Sequence, residues 1–255
     1  MCGRYVSATP TDDIAAYFDV AQVEERLAEP VYNVAPTTSV PIVRAAREKP
    51  TARTIDLYRW GLIPFWAKEA KVGNRMINAR AETVATNNAF KRSFVGRRCI
   101  IPADGFYEWV TRPAESAATK TGLKKKTIKQ PYYITQADGS PLAFAGIYAS
   151  WRGPERDDDP LYSCSIITTT ANATMEPVHD RMPVLLPSTD WDRWLDPDND
   201  DVDGLTSLLA PAPESVLTMH PVSTDVNNSR STGAQLIEPI ELDVTPSAAG
   251  QGTLL

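Results

Sequence analysis

The chain has 255 residues, of which 42% are hydrophobic and 23% are charged, a composition typical of a folded protein with a substantial core. No apolar run approaches the roughly 18 residues that a membrane-spanning helix needs. The first residues, MCGRYVSATPTDD, lack the apolar segment of a signal peptide. These features exclude a membrane protein, and we expect a monomer in the cytoplasm.

Cysteine and histidine are scarce. Three cysteines are an odd and small number, which fits a reducing compartment and argues against a disulfide framework. Cys99 and Cys164 lie in apolar runs and are predicted to be buried. The two histidines, His179 and His220, are too few and too far from clustered cysteines for a zinc site. We therefore expect neither a metal nor a cofactor.

Charge is distributed unevenly along the chain. The net charge is −6, yet residues 44–129 hold 19 Lys and Arg against 7 Asp and Glu. From residue 155 to the end the counts are 4 and 18. A chain divided in this way can present a basic face to phosphates despite its acidic total. A nucleic-acid partner is therefore compatible with the composition.

Hydrophobic alternation predicts many strands and few helices. A short strand opens the chain at 2–7, and Thr11 is a candidate N-cap for a helix over 11–20. Further strands are predicted at 39–45, 52–61, 97–110, 131–135, 142–151, 161–170 and 215–222. Short helices are predicted at 82–90, 171–178, 188–195 and 201–209. Since strand–helix–strand units are rare, we expect an α+β single domain with a mostly antiparallel, barrel-like β core flanked by short helices.

Two segments are expected to lie outside this core. The polar, lysine-rich stretch 111–130 is predicted to be a mobile connection, with its KKK run a solvated loop. We expect the folded domain to cover 1–222 and a C-terminal extension to cover 223–255, with the tail after Val244 disordered.

The second residue, Cys2, offers distinctive chemistry. Methionine aminopeptidases accept a small residue after the initiator, so removal of Met1 is expected to leave Cys2 with a free amine beside its thiol. A neutral amine adds to an aldehyde to give a Schiff base, and the thiol can close onto the imine carbon as a five-membered thiazolidine. Closure within one residue has a large effective concentration. Taken alone, however, this is a weak motif, and a cysteine at this position is more often accidental.

Six blocks of sequence, in order, resemble the SRAP (SOS-response-associated peptidase) family over most of the chain. The blocks are MCGRY at 1–5, YNVAP at 32–36, RWGLIPFWA at 59–67, NARAET at 78–83, ADGFYEW at 103–109 and HDRMPVLL at 179–186. The resemblance implies a protein of the DNA damage and SOS response that shields abasic sites in single-stranded DNA. The reaction that the resemblance implies is a covalent thiazolidine crosslink through Cys2, formed by a lyase-like Schiff-base chemistry. The family was first proposed to be a peptidase.

The resemblance also implies roles for particular side chains around Cys2. Asn78 would orient the Cys2 amine or hydrogen-bond the opened sugar. Glu108 would be the general acid and base, and burial between aromatic neighbours could raise its pKa. His179 would assist proton transfer and contact the sugar or the 3′ phosphate. Imine formation needs both a proton donor and a proton acceptor, which suits this set.

A second implied group would hold the DNA strand. Arginines would bind phosphates, aromatic rings would stack on bases or wedge between them, and a proline would shape the wall of the site. The residues are Arg4, Pro36, Trp66, Arg80, Phe90, Arg98 and Arg181. For Trp66 and Phe90 the alternative is an ordinary place in the core.

Two other functions remain open from the sequence. One is an N-terminal-nucleophile cysteine (auto)peptidase, in which Cys2 attacks an amide and Glu108 or His179 acts as base. The other is a non-covalent single-strand DNA-binding module in which Cys2 is structural. A covalent adduct with abasic DNA would separate the first reading from both.

Overall fold

The computed structural model describes residues 2–26, 29–113, 127–155 and 159–242. The KKK run at 124–126 and the tail after Val244, for which the sequence predicts a solvated loop and disorder, lie outside the described residues.

The described residues form thirteen strands and four short α-helices, joined by turns and 3₁₀ segments. The strands are β1 (Tyr5–Ser7), β2 (Val20–Val23), β3 (Val31–Val34), β4 (Ser39–Ala45), β5 (Arg53–Trp60), β6 (Asn78–Arg80), β7 (Arg98–Ala103), β8 (Gly105–Pro113), β9 (Thr127–Gln136), β10 (Leu142–Trp151), β11 (Leu161–Thr170), β12 (Arg181–Pro183) and β13 (Leu217–Pro221). The helices are α1 (Thr11–Tyr17), α2 (Lys91–Gly96), α3 (Trp191–Leu195) and α4 (Val202–Ser207). No helix among these residues has the length and apolar character that crossing a bilayer requires.

Five strands close into a barrel. The order β11–β10–β7–β4–β5 is antiparallel throughout, and β11 then pairs in parallel with β5, with Ser163 opposite Arg59. Successive side chains of a strand point to opposite faces, so β10 sends Phe144 into one buried cluster and Ala145 into another. The predicted single α+β domain with a mostly antiparallel, barrel-like core is confirmed.

A second sheet, in the order β13–β9–β8–β1–β3, covers one side of this barrel. Tyr5 of β1 makes edge-to-face contacts with two rings of the barrel, at 5.3 Å from Trp60 and 6.0 Å from Phe144 between ring centroids. These aromatic contacts bury large apolar area and fix the angle between the layers. They also bring the N-terminus of the chain onto the barrel.

The segment after β13 packs on the same body. Val226 and Leu236 are fully buried in a small cluster with Val6 and Tyr107. An isolated bridge pairs Val222 with Pro239. The described part of the C-terminal extension therefore contributes to the core beside β1 and β8.

Several predicted elements are wrong in detail. Thr11 is the first residue of α1 rather than its N-cap, a position held by Pro10. The segments 82–90 and 171–178 contain turns where helices were predicted, and α2 begins only at Lys91. The single strand predicted over 97–110 is two strands, because the chain turns at Asp104 and pairs with a different sheet on each side. The strands β2, β3, β6 and β12 are too short to show an alternating pattern.

Candidate active site

Cys2 lies where the second sheet meets the barrel. It lies three residues before the start of β1, and its side chain is fully buried. β1 runs antiparallel to β8 with Tyr5 opposite Phe106, and the backbone N–H of Tyr107 donates to the carbonyl of Arg4 at 3.0 Å. This register runs the residues before Tyr5 alongside those after Phe106. Cys2 is thereby close enough to Glu108 for the carboxylate charge to raise the pKa of the thiol.

Asn78 reaches the same point from the barrel. It begins β6, which pairs in parallel with β11 so that Asn78 lies opposite Ile166. Its Nδ2 donates a hydrogen bond to the backbone carbonyl of Cys2 at 2.9 Å. The Asn78 Oδ1 is buried and accepts no hydrogen bond from any described residue. Since a buried amide oxygen ordinarily has a partner, this atom is well placed to accept one from a ligand.

Glu108 is a buried carboxyl group. It belongs to β8, where it pairs with Tyr132, and only 3% of its surface is exposed. Burial raises the pKa of Glu108 to about 7, while the positive charge of the chain's α-amino group acts to lower it and Asp180 to raise it. Burial disfavours the charged form of an acid. A carboxyl group that titrates near neutrality can both give and take a proton at physiological pH.

The thiol of Cys2 is held in its protonated form. Burial raises the pKa of the thiol well above its ordinary value, and the negative charge of Glu108 adds to that effect. The α-amino group at position 1 of the chain and the backbone N–H of Arg4 both lower the pKa of the thiol, but by less than burial and Glu108 raise it. The site therefore does not provide the stabilised thiolate that a cysteine nucleophile ordinarily needs.

His179 approaches from the loop before β12. Burial lowers the pKa of its imidazole, which favours the neutral ring. Its Nδ1 accepts from the backbone N–H of Arg181 at 3.0 Å and lies 2.9 Å from Oδ1 of Asp180. In the neutral ring Nδ1 accepts from Arg181, and the hydrogen is on Nε2. Nδ1 cannot accept from Arg181 and donate to Asp180 at the same time, so the two contacts belong to different tautomers or protonation states of the ring.

Three of the predicted arginines border this cluster in different ways. Arg80, at the end of β6, is exposed. Arg4 is half-buried, and its Nη1 donates to Oδ1 of Asn33 at 2.6 Å and to the carbonyl of Val226 at 3.0 Å. Arg181 forms a two-point ion pair with the carboxylate of Glu82. Arg80 is therefore freely presented to solvent, whereas the other two are already engaged.

Two members of the predicted DNA-binding set are placed in the interior. Arg98 is 3% exposed, and its guanidinium donates to five backbone carbonyls at the ends of α2 and α3 and beyond. The prediction that Arg98 binds phosphate is wrong, because its donors already satisfy these carbonyls inside the fold. Phe90, 8% exposed, belongs to the core cluster that includes Phe94. The alternative of a place in the core is therefore the one observed for Phe90, and little of its ring is left exposed for a base to stack on.

Trp66 remains available at the surface, with 50% of its area exposed. The neighbouring ring of Phe65 is 54% exposed, and the guanidinium of Arg92 lies 5.0 Å above it. Sequence reasoning did not select Phe65, although adjacent aromatic residues in one loop were a signal. Gly61 starts this loop at φ +124°, and a Cβ there would lie 2.6 Å from the carbonyl oxygen of Gly73, so only glycine fits.

Pro36 lies in the turn after β3 and is partly buried. The next residue, Thr37, has φ +77° and donates its N–H to the carbonyl of Trp60 at 2.8 Å. A β-branched residue in the left-handed region is strained, so this turn is fixed against the barrel. The turn that contains Pro36 is therefore rigid.

A metal site is not found among the described residues. No group of three or more His, Cys, Asp or Glu side chains in the described part of the chain is arranged to hold an ion. The chemistry that Cys2, Asn78, Glu108 and His179 can perform is proton transfer around one amine or thiol.

Comparison with known proteins places this arrangement in a family. The family model described as SOS response associated peptidase (SRAP) matches residues 1–229. The chain belongs to the SRAP family. It is 42% identical over 239 residues to the abasic site processing protein YoqW of Bacillus subtilis, covering 93% of this chain and 99% of that one. To the abasic site processing protein HMCES of Xenopus tropicalis it is 32% identical, covering 84% of this chain and 67% of that one.

Solved structures agree with the SRAP fold described above. A crystal structure of a protein from Bacteroides thetaiotaomicron superposes with a TM-score of 0.78 at 24% identity, covering 94% of this chain and all of that one. A phage-related protein from Bordetella bronchiseptica superposes with a TM-score of 0.62 at 30% identity, covering 87% and 94% of the two chains. The first of these likenesses concerns the fold alone.

Proposed function

We propose that this protein processes abasic sites in single-stranded DNA by forming a covalent thiazolidine crosslink through Cys2. Relatives that match nearly the whole chain are named abasic site processing proteins. The observation that carries the proposal is the buried carboxyl group of Glu108, with a pKa of about 7, next to Cys2. Such a group supplies and removes protons at the pH where an amine and an aldehyde condense.

The reaction requires the amine of Cys2, which becomes free when Met1 is removed. Its nitrogen lone pair forms a bond to C1′ of the ring-opened sugar, and the aldehyde oxygen takes a proton. The resulting carbinolamine loses that oxygen as water, leaving an imine. The Cys2 sulfur then bonds to the imine carbon, and the thiol proton passes to nitrogen. Each step moves one proton, and no oxidant or reductant is consumed.

Glu108 fits the proton transfers of this sequence. In its protonated form it donates to the departing oxygen of the carbinolamine, and as carboxylate it accepts the proton that the amine or thiol gives up. The negative charge of Glu108 also acts on the Cys2 thiol and raises its pKa, which is consistent with the two groups lying close together. One group therefore serves as acid and as base in successive steps.

Asn78 and His179 would hold the reactants in place. The hydrogen bond from Asn78 to the Cys2 carbonyl fixes the orientation of the residue whose amine attacks. The neutral ring of His179, with its hydrogen on Nε2, would donate to a sugar oxygen or to the 3′ phosphate. Holding the amine and the aldehyde in one geometry accounts for a large part of such a rate enhancement.

The surface around this cluster suits a single strand. Arg80, two residues after Asn78, presents an exposed guanidinium for a phosphate. The exposed rings of Trp66 and Phe65 could stack on unpaired bases, which are accessible only when a strand is not in a duplex.

The peptidase alternative is less well supported. A cysteine peptidase depends on a thiolate, and its environment lowers the pKa of the thiol. Here burial and Glu108 raise the pKa of the Cys2 thiol. The protonated thiol suits ring closure onto an imine, where its proton is transferred to nitrogen.

Intact mass spectrometry tests the proposal. The purified protein should have lost Met1, and mixing with single-stranded DNA treated with uracil glycosylase should add the mass of the strand less one water. Cys2→Ala should give no heat-stable adduct while retaining reversible binding. Cys2→Ser should give only a Schiff base that borohydride traps. An undiminished heat-stable adduct with Cys2→Ala would disprove the crosslink proposed here.

A further inference from the structure

The guanidinium group of one arginine that was predicted to bind phosphate is already paired with an acidic side chain. Both oxygens of Glu82 contact Arg181, with Oε2 3.0 Å from Nη2. Arginine binds carboxylates and phosphates through the same two-point geometry. The carboxylate of Glu82 therefore uses the same two donors of Arg181 that a bound phosphate would use.

The backbone makes this arrangement rigid. The carbonyl of Thr168 accepts from the N–H of Ala81 at 2.8 Å and from Nη2 of Arg181 at 2.6 Å. Arg80 pairs with Thr168 in the ladder between β6 and β11. Glu82, Arg80 and Arg181 are thus held around one residue of β11, at the edge of the cluster formed by Asn78 and Cys2.

The negative charge of Glu82 lies close to the positive charges of Arg80 and Arg181. Arg181 lowers the pKa of Glu82 through its hydrogen bonds, and Arg80 lowers it further through its charge. Glu82 is therefore ionised at neutral pH. Its side chain is 48% exposed, whereas that of Arg181 is 15% exposed, so the carboxylate lies on the solvent side of the pair, from which DNA would approach.

We infer that Glu82 occupies a phosphate-binding position of Arg181 and that a phosphodiester of single-stranded DNA displaces it on binding. This inference rests on the proposed function and adds to it a residue that sets affinity for the strand. Glu82 leaves Arg181 and turns towards solvent, and the phosphate takes its two hydrogen bonds. Because a carboxylate must be displaced, affinity at this position is lower than a free arginine would give.

The test uses Glu82→Gln and an undamaged fluorescent single-stranded oligonucleotide, so that binding is measured without the crosslink. Losing a partly exposed ion pair should tighten binding about 2- to 5-fold. Because the displaced carboxylate of Glu82 takes up counterions when the phosphate binds, removing its charge should steepen the slope of log affinity against log salt by up to about 0.7. Glu48→Gln is the matched control, since it makes the same charge change at the turn between β4 and β5, at the far end of the barrel.

A double-mutant comparison separates displacement from a general charge effect. In an Arg181→Ala background, Glu82→Gln should no longer steepen the salt dependence. If Glu82 only braces Arg181, Glu82→Gln should instead lower the melting temperature and leave binding equal to that of Glu48→Gln, which would overturn the inference. Cooperative thermal unfolding would show that the wild-type protein and Glu82→Gln are both folded. If neither then binds the oligonucleotide, the proposed function fails as well.

Discussion

The side-chain amide of Asn78 holds the backbone carbonyl of Cys2 by a hydrogen bond of 2.9 Å. One residue comes from β6, at the edge of the barrel, and the other precedes β1 in the covering sheet. The bond joins the two layers of the fold at the residue whose amine would react. The direction in which that amine points thus depends on the packing of one layer on the other.

Replacing Asn78 with alanine should slow crosslink formation about 5- to 10-fold, because one net hydrogen bond contributes about 1 kcal/mol. The adduct should still form, since Cys2 and Glu108 are retained. Single-turnover crosslinking to abasic single-stranded DNA measures the effect. Asn88→Ala, in an exposed turn, is the control and should react at the wild-type rate. Equal rates for the two variants would remove Asn78 from the reaction.

Glu108→Gln should slow crosslink formation by about 10²–10⁴-fold if proton transfer limits the rate. The amide has nearly the same shape but can neither give nor take the proton. The wild-type rate should change with pH around 7, where Glu108 titrates, and the variant should lack that inflection. Rapid-quench kinetics from pH 5 to pH 9 would measure both. A wild-type rate in Glu108→Gln would contradict the assignment.

The same substitution should alter the pH dependence of stability. Burial raises the pKa of Glu108 from 4.5 to about 7, so the folded protein binds this proton more tightly than the unfolded chain does. The corresponding stability is present below pH 4.5 and is lost as the pH rises through 7, a change of up to about 3 kcal/mol.

Glu108→Gln, which cannot ionise, should therefore lose less stability between pH 5 and pH 8 than the wild type. Urea unfolding at several pH values measures this. The lowered pKa of His179 has the opposite pH dependence, but it is common to both proteins and cancels in the comparison. Parallel stability curves would show that Glu108 is not buried in its neutral form.

Arg80→Ala and Arg98→Ala should have different effects. Arg80 is exposed, so its loss should weaken binding of every single strand and reduce the salt slope by about 0.7 without affecting the fold. Arg98 is buried among backbone carbonyls, and its loss should destabilise the protein by several kcal/mol. Fluorescence titrations at several salt concentrations, with thermal unfolding alongside, distinguish the two effects.

Replacing Lys124, Lys125 and Lys126 together should weaken binding much less than Arg80→Ala does. The positive charge of residues 44–129 predicts the DNA-binding face, but lysines in a loop that the sequence predicts to be solvated should add only nonspecific attraction. A triple variant that binds more weakly than Arg80→Ala would mean that the DNA lies on another face of the protein.

The sequence by itself predicted Cys2 as the candidate reactive residue and located the main strands. Cys2 is defined by its place in the chain, since an amine and a thiol on one residue need no folding to be adjacent. Long strands such as β10 and β11 are visible because alternation of apolar residues is a local property. The family is visible because its blocks keep their order along the chain.

Only the tertiary structure decided which charged and aromatic residues face solvent. Arg80 and Arg98 look alike in sequence, yet one is exposed and the other donates to carbonyls that belong to residues up to 101 positions away. The ion pair of Glu82 and Arg181 joins residues 99 positions apart. Burial, and with it the raised pKa of Glu108, results from packing between distant segments, which no local pattern of residues encodes.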